Sequence, residues 1–212
     1  MKITKLLVAA GVLSFALPAF AQLAPKEGVD YVVLDPPQAT DSPGKIEVTE
    51  FFWYRCPHCY ELEPQLATWV GQLPKDARFK RVPAVFNDDW AIDARIFYTL
   101  DALGQENRLH SALMDAIHKD GGNRLRGDAY AKWVSDWVAK HGVDPKKYDA
   151  AYKAFTVDIK LKRARQMTQL YKFDGVPAMA VQGRWLVNAS PTMLQVTSAL
   201  IVQARDAAVG GK

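Results

Sequence analysis

The spacing of hydrophobic residues along the chain predicts its fold class. Strand-like segments, rich in β-branched and aromatic residues, occur only towards the two ends. Between about residues 89 and 170 there is almost no strand signal, and the segment reads as four or five successive helices with caps and glycine stops. This order predicts one α/β domain that carries an inserted all-helical domain, rather than two domains in series.

The strand predictions define the α/β part. A short edge strand is predicted at 31–34, and further strands at 46–53 and 79–86. Segments 178–182 and 185–187 flank a glycine and predict a hairpin. Segment 46–53 ends in consecutive apolar residues, which indicates burial on both faces and therefore a central strand.

The helix predictions follow from periodicity and capping residues. One helix begins at Pro57, and Pro64 within it predicts a kink or a break. A last helix follows Ser190-Pro191. The helical insertion is predicted to contain helices that run from 88 or 89 to 103, from 107 to 119, from 128 to 141, from Asp144-Pro145 onwards, and from 158 to 171.

The first 21 residues are typical of a cleaved signal peptide. Lys2 and Lys5 precede an apolar run at 6–17, and Ala19-Phe20-Ala21 is a small-x-small cleavage pattern. The run is shorter than the roughly 20 apolar residues that a membrane-spanning helix needs. We therefore predict export, with cleavage after Ala21.

Charge argues against a nucleic-acid partner. The chain has a formal charge of +4, and loss of residues 1–21 removes two lysines and no acid, which leaves +2. Nucleic-acid binding usually requires a concentrated basic footprint. We expect no such partner.

Cys56 and Cys59 are the two cysteines of the whole chain. A bond between them closes a very small loop and stabilises the fold little. Small exported scaffolds that depend on disulfides have more cysteines at wider spacing. The pair therefore indicates chemistry rather than cross-linking.

An inert structural disulfide is one alternative for a close cysteine pair, and a structural zinc site is another. Such a site needs four ligands, and the four histidines supply no second close ligand pair. We therefore predict no metal site. The histidines are His58, His110, His118 and His141.

The position of the pair, where a strand passes into a helix, explains what chemistry it can do. Cys56 falls at the helix N-terminus, where free N–H groups and the helix dipole stabilise an anion. This lowers the pKa of the thiol, and a protonated His58 adds a positive charge beside it. A stabilised thiolate is a good leaving group and makes the disulfide a strong oxidant.

The segment from Glu50 to Tyr60, EFFWYRCPHCY, resembles the active-site segment of the DsbA family of periplasmic disulfide oxidases. The Pro57-His58 dipeptide between the cysteines is typical of that family. The family has a thioredoxin fold with a helical insertion, which matches the predicted order of elements. The resemblance implies a thioredoxin-like domain formed by 22–88 and 165–212, with 89–164 as the helical insertion.

The resemblance also implies roles for individual residues. Cys56 would be the exposed nucleophile, Cys59 its shielded partner in the redox-active disulfide, and His58 a group that stabilises the Cys56 thiolate. Pro177 would be a cis-proline facing the cysteines. Val176 before it would offer backbone hydrogen bonds to the substrate chain.

Glu50 is an acid within an apolar strand, where a carboxylate is costly unless it is paired or protonated. The resemblance implies a buried pair of Glu50 with Lys80 beneath the active site, which would assist proton transfer or modulate Cys59. Arg81 is adjacent to Lys80 and is the alternative partner.

The function that the resemblance implies is that of a monomeric periplasmic oxidase. It would donate the Cys56–Cys59 disulfide to newly exported, unfolded proteins and be reoxidised by a quinone-linked membrane protein of the DsbB type. It would require no bound cofactor. An isomerase or reductase is the alternative within the same enzyme class, although 22–45 is too short for the dimerisation module of an isomerase. A chaperone with an incidental disulfide is the non-enzymatic alternative.

Overall fold

The computed structural model describes residues 24–210, and a five-stranded mixed sheet forms its centre. The spatial order of the strands is β1-β5-β4-β2-β3. Strands β2 and β3 are parallel, and the other neighbours are antiparallel. The predicted signal peptide lies outside the described residues. The strands are β1 (Val32–Val33), β2 (Ile46–Phe52), β3 (Ala77–Pro83), β4 (Ala178–Val181) and β5 (Trp185–Asn188).

Strand β2 occupies the middle of the sheet, as its sequence predicts. It pairs with β3 on one side and β4 on the other, and all seven of its residues are buried. Burial on both faces explains why its sequence is rich in consecutive apolar residues. The two charged residues within it, Glu47 and Glu50, must therefore find partners inside the protein.

Five helices lie between β3 and β4 in the chain, which confirms the predicted helical insertion. Helix α2 contacts each of α3, α4, α5 and α6 and is thus the centre of this part. A short 3-10 turn, Gly122–Arg124, separates α3 from α4. The helices of the described chain are α1 (Pro57–Gly71), α2 (Asp88–Ala102), α3 (Glu106–Lys119), α4 (Gly127–Lys140), α5 (Pro145–Tyr152), α6 (Phe155–Leu170) and α7 (Met193–Gly210).

Several elements differ from the predictions, and strand β3, for example, ends at Pro83 rather than at residue 86. Helix α1 continues through Pro64 without a break. Strand β3 begins two residues early because Ala77 already pairs with Ile46 of β2. Helix α6 begins at Phe155, and Asp158, the predicted first residue, lies inside it and binds Arg95 at 2.6 Å.

Helix α6 also runs through residues 164 and 165, where the sequence places a domain boundary. The helix is therefore shared between the two predicted parts. The division into 22–88 with 165–212 and 89–164 stays a prediction.

Two hydrophobic clusters hold the helices against the sheet. One cluster joins β2, β4 and β5 to α1 and α7, with fully buried members such as Val48, Leu66 and Val196. The other contains Phe51 and Phe52 of β2 and extends into the helical insertion. The active-site segment after β2 is thus packed between the two parts of the molecule.

Gly183 forms the turn of the predicted β4–β5 hairpin. Its φ is +61°, a region that L side chains rarely adopt, and a Cβ there would collide with the carbonyl oxygen of Gln38. The chain before β2 passes close to the hairpin at this point, because the Gln38 N–H donates to the Gly183 oxygen at 2.7 Å. No helix within residues 24–210 has the length and apolar character to span a membrane.

Candidate active site at the start of helix α1

Cys56 is the N-cap residue of helix α1, and Pro57 is the first helical residue. Proline suits this position because its missing N–H would have no partner there. The N–H of Cys56 donates to the Trp53 oxygen at 3.0 Å, which closes a turn between β2 and the helix. The Cys56 side chain therefore lies at the positive end of the helix dipole.

The fold brings Val176 and Pro177 to this helix start from 120 residues away in the sequence. The Val176–Pro177 peptide bond is cis, the geometry that the resemblance implies for it. The Cys56 Sγ lies 3.4 Å from the Val176 oxygen. Pro177 is buried and Val176 is partly exposed.

The two cysteines are free thiols with opposite acidities. Both are buried, with Cys56 6% and Cys59 1% exposed, so Cys56 is less accessible than the expected exposed nucleophile. A hydrogen bond from the Cys59 thiol lowers the pKa of Cys56 from 9.0 to about 6, assisted by backbone N–H groups of His58 and Cys59 and by the His58 charge, although burial opposes the shift. Burial raises the pKa of Cys59 well above 9.0, and the Cys56 charge adds to the effect. Cys56 is thus the thiolate and Cys59 the protonated donor.

His58 points into solvent, with 74% of its side chain exposed. Its Nδ1 lies 3.4 Å from Glu61 Oε2, and this exposed contact is weak. Its charge still favours the Cys56 thiolate, but less than the hydrogen bond from Cys59 does.

Glu50 pairs with Arg81, so the expected Glu50–Lys80 pair is wrong. Arg81 Nε lies 3.1 Å from Glu50 Oε2. Lys80 Nζ instead lies 2.7 Å from Glu47 Oε1 and 2.9 Å from Asp41 Oδ2.

Strand register explains this correction. Glu50 is the registered neighbour of Arg81 on β3, and Thr49 is the neighbour of Lys80. Successive side chains on a strand point to opposite faces, so Lys80 is directed to the face that carries Glu47 and Thr49.

Arg81 is shared by three acids, two of which the sequence analysis did not identify. Its guanidinium lies 3.1 Å from Glu63 of α1 and 3.5 Å from Glu106 of α3. Glu63 lies four residues after Cys59 on the same helix, so helical spacing already places it on the Cys59 side. Glu106 gives no local signal of this kind.

Glu63 has further polar neighbours besides Arg81. Ser111 Oγ donates to its carboxylate at 2.8 Å, and the buried His110 Nε2 lies 3.6 Å from it. Burial opposes ionisation, but these neighbours outweigh it and hold the pKa of Glu63 well below its usual range.

Glu50 is in the opposite situation. Burial raises its pKa to about 7, because the Arg81 charge compensates only part of the cost and the Glu63 charge adds repulsion. A negative charge on Glu50 also raises the pKa of Cys59, although less than burial does. A carboxyl that titrates near neutrality can therefore exchange a proton close to this thiol.

A groove of about 470 Å³ lies beside His58 and the cis-proline. It lies between the start of α1, the cis-proline and the start of α7, and it has mixed polar and apolar walls. The groove is lined by His58, Leu62, Gln65, Pro177, Pro191 and Leu194, among others. The residues of 24–210 contain no group of three His, Cys, Asp or Glu side chains that could hold a metal ion.

A thiolate at a helix N-terminus, a protonated cysteine one turn later and a facing cis-proline define a thioredoxin-fold thiol–disulfide oxidoreductase. Residues 47–200 match the model of the DSBA-like thioredoxin domain. The chain is 40% identical to the thiol:disulfide interchange protein DsbA of Azotobacter vinelandii over 94% of its length and 96% of that protein. It is 37% identical to the protein of that name from Pseudomonas syringae, over 99% and 98% of the two chains.

Solved structures agree with these relatives. The crystal structure of Pseudomonas aeruginosa DsbA superposes with a TM-score of 0.77 at 35% identity, covering 84% of this chain and 94% of that one. Xylella fastidiosa DsbA gives a TM-score of 0.80 at 32% identity, covering 86% and 98%. This chain belongs to the DsbA family and is a disulfide oxidoreductase.

We predict that Cys59→Ala raises the pKa of Cys56 more than His58→Ala does. The first change removes the hydrogen bond that contributes most, and the second removes a charge that solvent screens. The ultraviolet absorbance of the thiolate in the reduced protein, followed against pH, measures both shifts.

His141→Ala is the control for this experiment. His141 is an exposed histidine directly after helix α4, and its Nδ1 lies 2.7 Å from the Trp137 carbonyl oxygen. We expect it to leave the titration unchanged. A shift in His58→Ala as large as that in Cys59→Ala, or a wild-type Cys56 that titrates near 9.0, would contradict the assignment.

Proposed function

We propose that the protein is a periplasmic oxidase that donates its Cys56–Cys59 disulfide to reduced, unfolded proteins after their export. The observation that carries the proposal is the position of Cys56 as the N-cap of helix α1, which favours the thiolate. A stabilised thiolate favours the reduced form and so makes the disulfide a ready donor. The predicted signal peptide and the family of the chain support this location.

The first step is attack of a substrate thiolate on the Cys56 sulfur of the enzyme disulfide. A bond forms between the substrate sulfur and Cys56, and the bond between Cys56 and Cys59 breaks. Cys59 leaves as a thiolate. Because Cys59 is buried and its pKa is high, this thiolate must gain a proton.

Glu50 is the proposed source of that proton. Its pKa of about 7 keeps a fraction of it protonated at neutral pH, beside the leaving Cys59. Arg81 then stabilises the carboxylate that remains, at 3.1 Å. In this scheme the Glu50–Arg81 pair modulates Cys59, in place of the expected Glu50–Lys80 pair.

The second step oxidises the substrate and reduces the enzyme. A second substrate thiolate attacks the substrate sulfur of the mixed disulfide, and Cys56 leaves as its thiolate. This departure is favourable because the Cys59 thiol and the start of helix α1 stabilise the charge, with His58 contributing. The substrate keeps the disulfide, and two electrons remain on the cysteine pair.

The substrate chain is proposed to bind across the Val176 carbonyl and along the groove beside it. Partly exposed aromatic rings lie near the segment that precedes Cys56. The ring centres of Trp53 and Trp90 are stacked 4.2 Å apart, and Phe86 is 42% exposed. Aromatic and backbone contacts of this kind accept many different unfolded sequences.

The enzyme must be reoxidised after each turnover. We propose that a membrane protein of the DsbB type, linked to a quinone, accepts the two electrons through a mixed disulfide with Cys56. The protein itself would act as a monomer without a bound cofactor or nucleic-acid partner.

We predict that Cys56→Ser abolishes oxidation of a reduced, unfolded substrate, because serine can form no mixed disulfide. Oxygen-free assays that follow the loss of substrate thiols measure the rate. Binding of the substrate should persist in this variant, since the groove is unchanged. Thiol loss at the wild-type rate would contradict the mechanism, and binding without oxidation in the wild type would favour a chaperone.

We predict that Glu50→Gln slows the first exchange by roughly tenfold near pH 7. This is less than the hundredfold of a typical general acid, because a thiolate leaves readily. Wild-type Glu50 donates below its pKa of about 7 and loses that ability as the pH rises. The difference between the two proteins should therefore shrink above pH 7 in rapid-mixing measurements.

Glu47→Gln is the matched control. Glu47 is also a buried glutamate of β2, but it binds Lys80 on the other face of the sheet. We expect normal exchange kinetics for it. An equal change in both variants, or none in Glu50→Gln, would exclude the proposed proton transfer.

A further inference from the structure

A buried carboxylate of helix α2 holds the segment that precedes Cys56. Asp93 is fully buried. Its Oδ2 accepts from Trp53 Nε1 at 2.8 Å and from Arg55 Nη2 at 2.8 Å and Nε at 3.0 Å. Its Oδ1 accepts from the hydroxyl of Tyr130 on α4 at 2.6 Å. One side chain thus ties two residues of the active-site segment to the helical insertion.

Arg55 is the main partner of Asp93 and has little access to solvent. Its side chain is 2% exposed. Its Nη2 also donates to the carboxylate and the carbonyl of Asp89, at 2.9 and 3.0 Å. The guanidinium lies over the rings of Trp53 and Tyr130, at 4.9 and 4.6 Å from their centres. The positive charge of Arg55 is therefore paired with groups inside the protein.

Tyr54, between the two anchored residues, is held by helix α3. Its hydroxyl lies 3.3 Å from His110 Nδ1, and its backbone oxygen lies 2.9 Å from His118 Nε2. The three residues before the nucleophile are therefore fixed by three helices of the insertion.

General stability is a poor explanation for Asp93. A buried ion pair often adds little net stability, because desolvation cancels most of the attraction. What such a pair does supply is a single geometry, since every donor and acceptor must stay in place. Here that geometry includes the turn in which the Cys56 N–H reaches the Trp53 oxygen.

We propose that Asp93 is a positioning residue for Cys56. By fixing Trp53 and Arg55 it keeps the Cys56 sulfur at the start of helix α1 and close to the Val176 oxygen. The biological meaning of this role rests on the proposed function. The role itself is measured by the acidity and the redox equilibrium of the cysteine pair.

The consequence for the chemistry has a definite direction. A Cys56 that moves away from the helix start and from the Cys59 thiol loses thiolate stabilisation, so its pKa rises. The reduced form then loses its advantage, and the disulfide becomes a weaker oxidant.

The test uses Asp93→Asn, which keeps the size of the side chain but removes its charge. We expect the Cys56 pKa to rise by roughly half a unit to one unit. The equilibrium constant for reduction by glutathione should fall by roughly threefold to tenfold, since one pKa unit corresponds to a factor of ten. Thiolate absorbance and a glutathione redox series measure the two quantities on folded protein.

Two further variants make the result specific. The double variant Arg55→Met with Asp93→Asn removes both charges, and we expect it to shift the pKa in the same direction. Trp53→Phe removes one hydrogen bond and no charge, so it should give a smaller shift and remains available if Asp93→Asn does not fold.

Val138→Ala is the control for a merely structural effect. Val138 is fully buried in the same helix as Tyr130 but eight residues further on. Val138→Ala should lower the temperature of unfolding, because it leaves a cavity in the core, and it should leave the Cys56 pKa and the glutathione equilibrium unchanged.

Two outcomes would overturn the proposal. One is an unchanged pKa and equilibrium in every folded Asp93 and Trp53 variant. The other is a lower pKa in Asp93→Asn that returns to the wild-type value in the double variant, since this would assign the effect to the Arg55 charge and not to position. Wild-type protein that fails to oxidise unfolded substrates would count against the proposed function and leave this test intact.

Discussion

The pairing of a thiolate with a protonated thiol at the start of helix α1 is the constraint on which the chemistry of this molecule depends. It requires Cys56 to be a thiolate while Cys59 keeps its proton. One turn of helix α1 sets the spacing, the helix start favours the charge on Cys56, and burial holds the proton on Cys59. Strain in the fold is not needed to explain the reactivity, because the difference in environment between the two thiols is sufficient.

Two buried charge clusters surround this pair and serve different purposes. Arg81 holds Glu50 and Glu63 near Cys59, where a titratable carboxyl is chemically useful. Asp93 holds Arg55 before Cys56, where a fixed position is useful. Burial of each cluster has a desolvation cost. The helical insertion supplies partners to both clusters. The insertion is therefore part of the active site as well as an addition to the fold.

Local patterns in the sequence were enough to predict most of the fold. The central strand β2, the cysteine pair at a helix start and the block of helices are all encoded within short segments. The Glu50–Lys80 pair was wrong because residues 80 and 81 point to opposite faces of β3. A single step of register decides between them, and the local pattern of one strand does not show how it is aligned with its neighbour.

The anchors of the site were harder to predict for the same physical reason. Glu63 carries a local signal, four residues after Cys59 on one helix. Asp93 carries none, because its contact with Arg55 joins residues 38 positions apart and depends on how α2 packs against the segment after β2. The position of Asp93 depends on tertiary packing, which the periodicity of the sequence does not describe.

The central claim is that the folded protein stabilises the Cys56 thiolate. Comparing the free energy of unfolding of the reduced and the oxidised protein against pH tests it most directly. A folded pKa of about 6 against 9.0 predicts that stabilisation of the reduced form is complete above pH 9 and is lost as the pH falls through 6. The reduced protein should thus be the more stable one at pH 7, with an advantage that grows towards pH 9. An oxidised protein that is more stable at pH 7, with a difference that does not change with pH, would contradict the account.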